Sequence, residues 1–166
     1  MTYLYPESPL VGDASIRLAT YYYTQEKRFD IAGRIYANFQ KRFPTHERAA
    51  GALFMGAQCR IKQAETLWGE KFGKGGVPPL VADEYQAAIE AFNTLIDTYT
   101  GSSEQEQKLR AQAMYWAGDS SFKVGDFKNA YLFFKRTVFE YPETEWARRA
   151  RGMLLQESKA FEAFEE

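Results

Sequence analysis

Few groups in this chain have the reactivity that catalysis needs: a single histidine, a single cysteine and a glycine-lysine loop. His46 stands beside Glu47 but lacks the second histidine with which a His-Glu-x-x-His site puts two imidazoles on one helix face, so a capping or surface role is expected. Cys59 has no second cysteine for a disulfide or thiolate cluster and no basic pair to hold it as thiolate, so it is expected to pack as a small side chain. The run Gly69-Glu70-Lys71-Phe72-Gly73-Lys74-Gly75 has three residues between Gly69 and Gly73, no Ser or Thr after Lys74 and no strand before it. A hairpin tip fits it better than a phosphate loop. With no Gly-x-Ser-x-Gly pattern either, no catalytic residue, metal site or cofactor is expected, and the chain reads as a non-enzyme.

Recognition chemistry is better represented. Arg17 and Tyr21, then Leu53 and Arg60, then Gln112, Tyr115 and Asp119, and lastly Arg149 fall at spacings that put each set on one helix face. Guanidinium groups and amphipathic rings suit a polypeptide partner, which makes these residues the candidates for a binding groove. Tyr21 and Tyr115 serve either as peptide contacts or as packing, and Arg17 and Arg149 either as partners of acidic groups or as solvated charge. Trp68, Phe72, Val77 and Leu80 surround the glycine-rich tip, where they either pack locally or dock a partner. Tyr21, Tyr22 and Tyr23 cannot all point inward from one helix, so at least one ring is expected in solvent.

Apolar periodicity supplies the elements that position these groups. Ile16, Ala19 and Tyr23 keep helical spacing, as do Phe29, Ala32, Ile35, Tyr36 and Phe39 before Pro44 ends the run, with Thr45 expected to cap the next helix. A long face from Ala49 through Ala57 and Ile61 to Trp68 is followed by the Gly-Pro interruption, then by Val81, Tyr85, Ala88, Phe92 and Ile96, stopped near Gly101. Ala113, Met114, Ala117, Gly118 and Phe122 precede a turn at Gly125-Asp126, and Phe127, Ala130, Phe134 and Val138 follow it. Thr144 is placed to cap a last helix with an apolar stripe from Trp146 to Phe164. Seven helices result.

Composition narrows the function classes. Twenty-one Lys and Arg against 22 Asp and Glu leave a formal net charge of −1, which excludes general attraction to nucleic acid or anionic lipid. No stretch approaches the ~20 apolar residues of a membrane span, and Met1 to Asp13 lacks the features of a secretory signal, so the chain reads as soluble and unaddressed. Aromatic residues make up 16% of it, enough to fill the gaps between stacked helices.

The small residue Gly118, the pair Ala130 and Phe134, and the closing Tyr141-Pro142 recur as Ala32, Tyr36 and Phe43-Pro44 preceded by Thr20, and in part as Gly56, Ala88 and Phe92. Units of this kind, with a period of about 34 residues, resemble tetratricopeptide repeats. The middle unit carries about twenty extra residues relative to that spacing. Shared between its two helices, they would project the tip by roughly 15 Å. The junctions Phe43-Pro44-Thr45, Tyr141-Pro142-Glu143-Thr144 and Tyr5-Pro6-Glu7-Ser8 are similar to those of bacterial cell-envelope members such as the Tol/Pal coordinator and the outer-membrane assembly lipoproteins.

The resemblance implies an all-α fold: one domain over 1–166, a right-handed superhelical stack of antiparallel helix pairs. Its repeats are expected near 13–44, 49–100 and 111–142, with a terminal helix over 144–165. It also implies a protein or peptide partner held in the concave groove, with no nucleic acid and no direct membrane span. Lys and Asn positions that clamp a terminal carboxylate in some members are occupied here by Arg17, Tyr21, Tyr115 and Asp119, so that activity is not implied. The alternative is a structural module that pairs copies through the terminal helix or the protruding hairpin, because Leu154, Phe161 and Phe164 have no following helix to cover them. A cap that folds back is the competing reading of that end. The narrower resemblance implies a periplasmic or cell-envelope location if the chain is a fragment, and a cytoplasmic one otherwise.

Overall fold

The computed structural model describes residues 9–69 and 76–164; the Tyr5-Pro6 junction and Phe72 lie outside them. Among these residues the protein is all-α, with no strand: α1 (Pro9–Thr24), α2 (Phe29–Arg42), α3 (Ala49–Trp68), α4 (Pro79–Thr98), α5 (Glu104–Lys123), α6 (Phe127–Glu140), α7 (Glu145–Gln156) and a short α8 (Ser158–Phe161). Each helix packs on its successor in the chain. The pairs are antiparallel: Phe54 and Trp68 of α3 meet Phe92 and Tyr85 of α4, and Gly118 and Phe122 of α5 face Phe134 and Phe127 of α6.

Local chemistry explains the boundaries. The outgoing helices α2, α4 and α6 each end on an aromatic residue, Phe43, Tyr99 or Tyr141, whose N–H still donates to the carbonyl four residues back. Proline after Phe43 and Tyr141 prevents continuation. Tyr99 is tied instead by its hydroxyl, which donates to Pro44 O at 2.9 Å and accepts from Gln40 Nε2 at 3.3 Å. Thr144 caps α7 by accepting from Ala147 N, Asp126 caps α6 by accepting from Asn129 N, and Ser103 with Glu106 forms a complete capping box on α5. Gly125 takes φ 83°, a conformation open to glycine, in the α5–α6 turn.

Three buried clusters follow one another along the chain, each built from adjacent helices. The first joins Ala19 of α1, Ala32, Tyr36 and Phe39 of α2, and Ala52 and Cys59 of α3. The second joins α3, α4 and α5 around Ile61, Tyr85, Phe92 and Met114. The third joins Ala130, Tyr131 and Phe134 of α6, Ala150 of α7 and Phe161 of α8. Fully burying a ring such as Phe92 or Phe134 stabilises by roughly 1.5–3 kcal/mol, so each cluster ties its helices together without long-range closure.

Three expectations are corrected. α3 begins at Ala49 behind Arg48 with no side-chain cap, because residues 44–48 form a turn that keeps Thr45 away from the helix start. The middle unit's extra length does not lengthen both helices equally: α3 and α5 both have 20 residues, while α4 has 20 against 14 in α2 and α6, and the rest lies between Gly69 and Pro78. α4 therefore gains about 9 Å over its counterparts. The terminal helix does not run on as one element to 165, although Leu155 of α7 stays exposed. It breaks at Glu157, and α8 with a closing 3-10 turn (Glu162–Phe164) turns back so that Phe161 is fully buried against Phe122, Tyr131 and Phe134. Burial of that ring is the physical reason for the break, and it brings the helix count to eight among the described residues.

Candidate binding groove

The inner faces of α1, α3 and α5 enclose an open groove of about 1430 Å³. The N-terminal half of α3 gives it Ala50, Gly51, Ala52 and Met55; α1 gives Ile16, Thr20, Tyr23 and Thr24; α5 gives Gln105, Lys108, Leu109 and Gln112. The turn carrying Pro44, Thr45 and His46 and the ring of Tyr99 line it as well. Gly51 is decisive for its depth, since a Cβ there would meet no atom within 4 Å. Small residues on the α3 face let a partner approach the backbone closely, while Ile16, Met55 and Leu109 supply apolar surface.

Most charged groups around the groove are held by neighbours, while Glu47 lines it exposed and with no ion pair among the described residues. Asp13 of α1 pairs with Arg48, just before α3, at 3.5 Å, Glu104 with Lys108 at 2.6 Å, and Glu106 accepts from the Ser103 hydroxyl at 2.6 Å. Hydrogen bonding from Lys108 holds the Glu104 carboxyl below the usual carboxylate range. Tyr36 shares a hydrogen bond of 3.1 Å with Thr20, and burial pushes the pKa of the Tyr36 and Tyr23 phenols above the usual value, keeping them neutral. His46 Nδ1 accepts from Arg48 N at 3.1 Å and its ring meets Phe39 edge-on, so the imidazole braces the turn. The groove thus offers apolar surface bordered by neutral hydroxyl and amide groups, and among the described residues no cluster of His, Cys, Asp or Glu could hold a metal ion.

Of the residues expected on the groove, only Gln112 lines it. Arg17 is exposed elsewhere on α1; Tyr21, also exposed, donates to Glu26 Oε1 at 2.6 Å, while Tyr22 and Tyr23 are half-buried. Leu53 packs on the α3–α5 core, and Arg60 pairs with Glu84 of α4 at 3.1 Å. Tyr115, Asp119 and Arg149 do come together, but on a packed face between α5 and α7. There the Tyr115 ring lies 5.5 Å from both Trp116 and Trp146, Arg149 sits 4.7 Å over Trp146 and bonds Glu145 at 2.5 Å, and Asp119 pairs with Lys123 at 2.9 Å. Near the tip, Trp68 is buried against Tyr85, Val77 is half-buried on the same core, and Leu80 is exposed.

The groove residues missed in the sequence share a property: Ala50, Gly51 and Ala52 carry almost no side chain, so no contacting group announces them. The available signal was Ile16, Thr20 and Tyr23 at helical spacing with threonine between apolar residues. No family model matches the chain, and comparison with curated proteins and with solved structures gives no match. Among the described residues no helix is long and apolar enough to cross a membrane.

Proposed function

We propose that this chain is a non-enzymatic interaction scaffold of the tetratricopeptide type, its helix pairs stacked as a right-handed superhelix, that holds a segment of a partner protein in the groove between α1 and α5. The observation that carries the reading is the open floor at Gly51: a volume of about 1430 Å³ lies over small residues of α3, with apolar side chains on either side. Because Asp13 is paired with Arg48, Glu104 with Lys108 and Glu106 with the Ser103 hydroxyl, while Glu47 adds a carboxylate with no ion pair among the described residues, the groove favours a segment with an apolar face over an acidic one. Repeated antiparallel hairpins with aromatic caps at Phe43, Tyr99 and Tyr141 support the tetratricopeptide reading. The junctions Phe43-Pro44-Thr45 and Tyr141-Pro142-Glu143-Thr144 support a cell-envelope setting.

The test is a displayed peptide library selected on the folded chain and mapped by methyl and backbone resonances. Shifts centred on Ile16, Met55, Leu109 and Gln112 are expected. Shifts confined to Trp146 and Arg149, or to the α3–α4 tip, would reject the groove as the site.

A further inference from the structure

Two outward helix faces carry opposite charge at matching intervals. On α6 the exposed row is Lys128, Leu132, Lys135 and Phe139, with Leu132 47% and Phe139 87% exposed. A phenylalanine this open is unusual on a helix otherwise packed into the core, and α6 buries Ala130, Tyr131, Phe134 and Thr137 on its other side. α4 contains no Lys or Arg; its outward row bears Asp83, Glu90 and Asp97, seven residues apart. Among the described residues none of these three carboxylates takes part in an ion pair, whereas Glu84 on the neighbouring stripe is held by Arg60.

From this complementarity we propose that α6 of one copy of the chain docks on α4 of a second copy. The seven-residue interval is about 10.5 Å on both helices, so Lys128 and Lys135 can face two successive carboxylates of the α4 row at once. In the register that sets Lys135 against the central Glu90, Lys128 faces Asp83 if the helices run parallel and Asp97 if antiparallel, and Phe139 falls on the small or neutral α4 positions Thr94 or Ala87 respectively. Lys135 already leans over the Tyr131 ring, its ammonium 5.4 Å from the centroid, which keeps it near the row. The contact is heterologous. Each copy has one α4 and one α6 face free, so association continues from copy to copy, and the groove stays open because it lies on α1, α3 and α5.

Sedimentation velocity across a concentration series is the test, with far-ultraviolet circular dichroism confirming that each variant folds. Concentration-dependent association that weakens with salt is expected for the unaltered chain. Phe139→Ser and Lys135→Glu should each raise the dissociation constant about tenfold or more. Glu90→Lys should do the same, mixing the Glu90→Lys and Lys135→Glu chains should restore association with the two variants alternating, since each attracts the other and repels its own kind, and the double swap in one chain should restore association. A strictly monomeric chain, association indifferent to these substitutions, or a monomer that binds anionic phospholipid vesicles through Phe139 would each overturn the proposal.

Discussion

Gly118 and Phe134 touch where α5 crosses α6: a Cβ on Gly118 would lie 2.8 Å from Phe134 Cε1 and 2.9 Å from Cδ1. The same small-against-ring relation holds between Gly12 and Phe39 at 3.1 Å, where α1 crosses α2. Gly118 is buried and Phe134 fully so, and the same added Cβ would lie 3.1 Å from Phe133 Cβ, an atom next to the backbone that cannot swing aside, so the crossing has little room to yield. Gly118→Ala is therefore expected to destabilise by roughly 1–3 kcal/mol despite alanine's better helix propensity. Urea denaturation should show a lower midpoint at unchanged slope; an equal or higher midpoint would mean that the crossing relaxes freely.

Phe161 closes the C-terminal side of the fold. Its ring is fully buried among Phe122, Tyr131 and Phe134 at centroid distances of 5.8–6.2 Å. Phe161→Ala should cost about 3–5 kcal/mol and uncover the third cluster, detectable as increased binding of a hydrophobic dye. An unchanged melting temperature would contradict the buried cap.

Much of this organisation was legible beforehand. Helix spacing, the stops at Pro44 and Pro142, the cap at Thr144 and the turn at Gly125-Asp126 all follow from local rules of backbone geometry and hydrogen bonding, which depend on a few neighbouring residues. The break at Glu157 did not follow, because it comes from a contact between Phe161 and rings more than twenty residues earlier, while the local pattern from Trp146 to Phe164 reads as one continuous stripe. Groove membership was hidden for a different reason. Periodicity groups Arg17 with Tyr21, and Tyr115 with Asp119, on one face each, but the rotation of that face about the helix axis is set by packing against the next helix.

Cys59 offers a chemical check on the first cluster. It is fully buried beside Gly33, and burial pushes its thiol from 9.0 up to about 12. The folded chain should resist thiol reagents at pH 8 and react at once on unfolding. Because the folded thiol holds its proton longer than the unfolded one, its contribution to stability is complete below pH 9 and is lost as pH rises toward about 12. Burial raises Tyr85 and Tyr36 in the same direction, so the Cys59 share is the difference in slope from a Cys59→Ala variant. Rapid labelling of the native chain would refute the enclosed site.

The groove itself is tested most directly at Gly51. A tryptophan there meets no atom at its Cβ and replaces glycine within a helix, so folding is expected to be unharmed or strengthened by up to about 1 kcal/mol. The measurement is calorimetric titration of a library-selected peptide into the unaltered chain and into Gly51→Trp, both verified as folded. Loss of affinity by about a hundredfold or more in the variant is the predicted result. Equal affinity in a folded Gly51→Trp chain would contradict binding between α1 and α5.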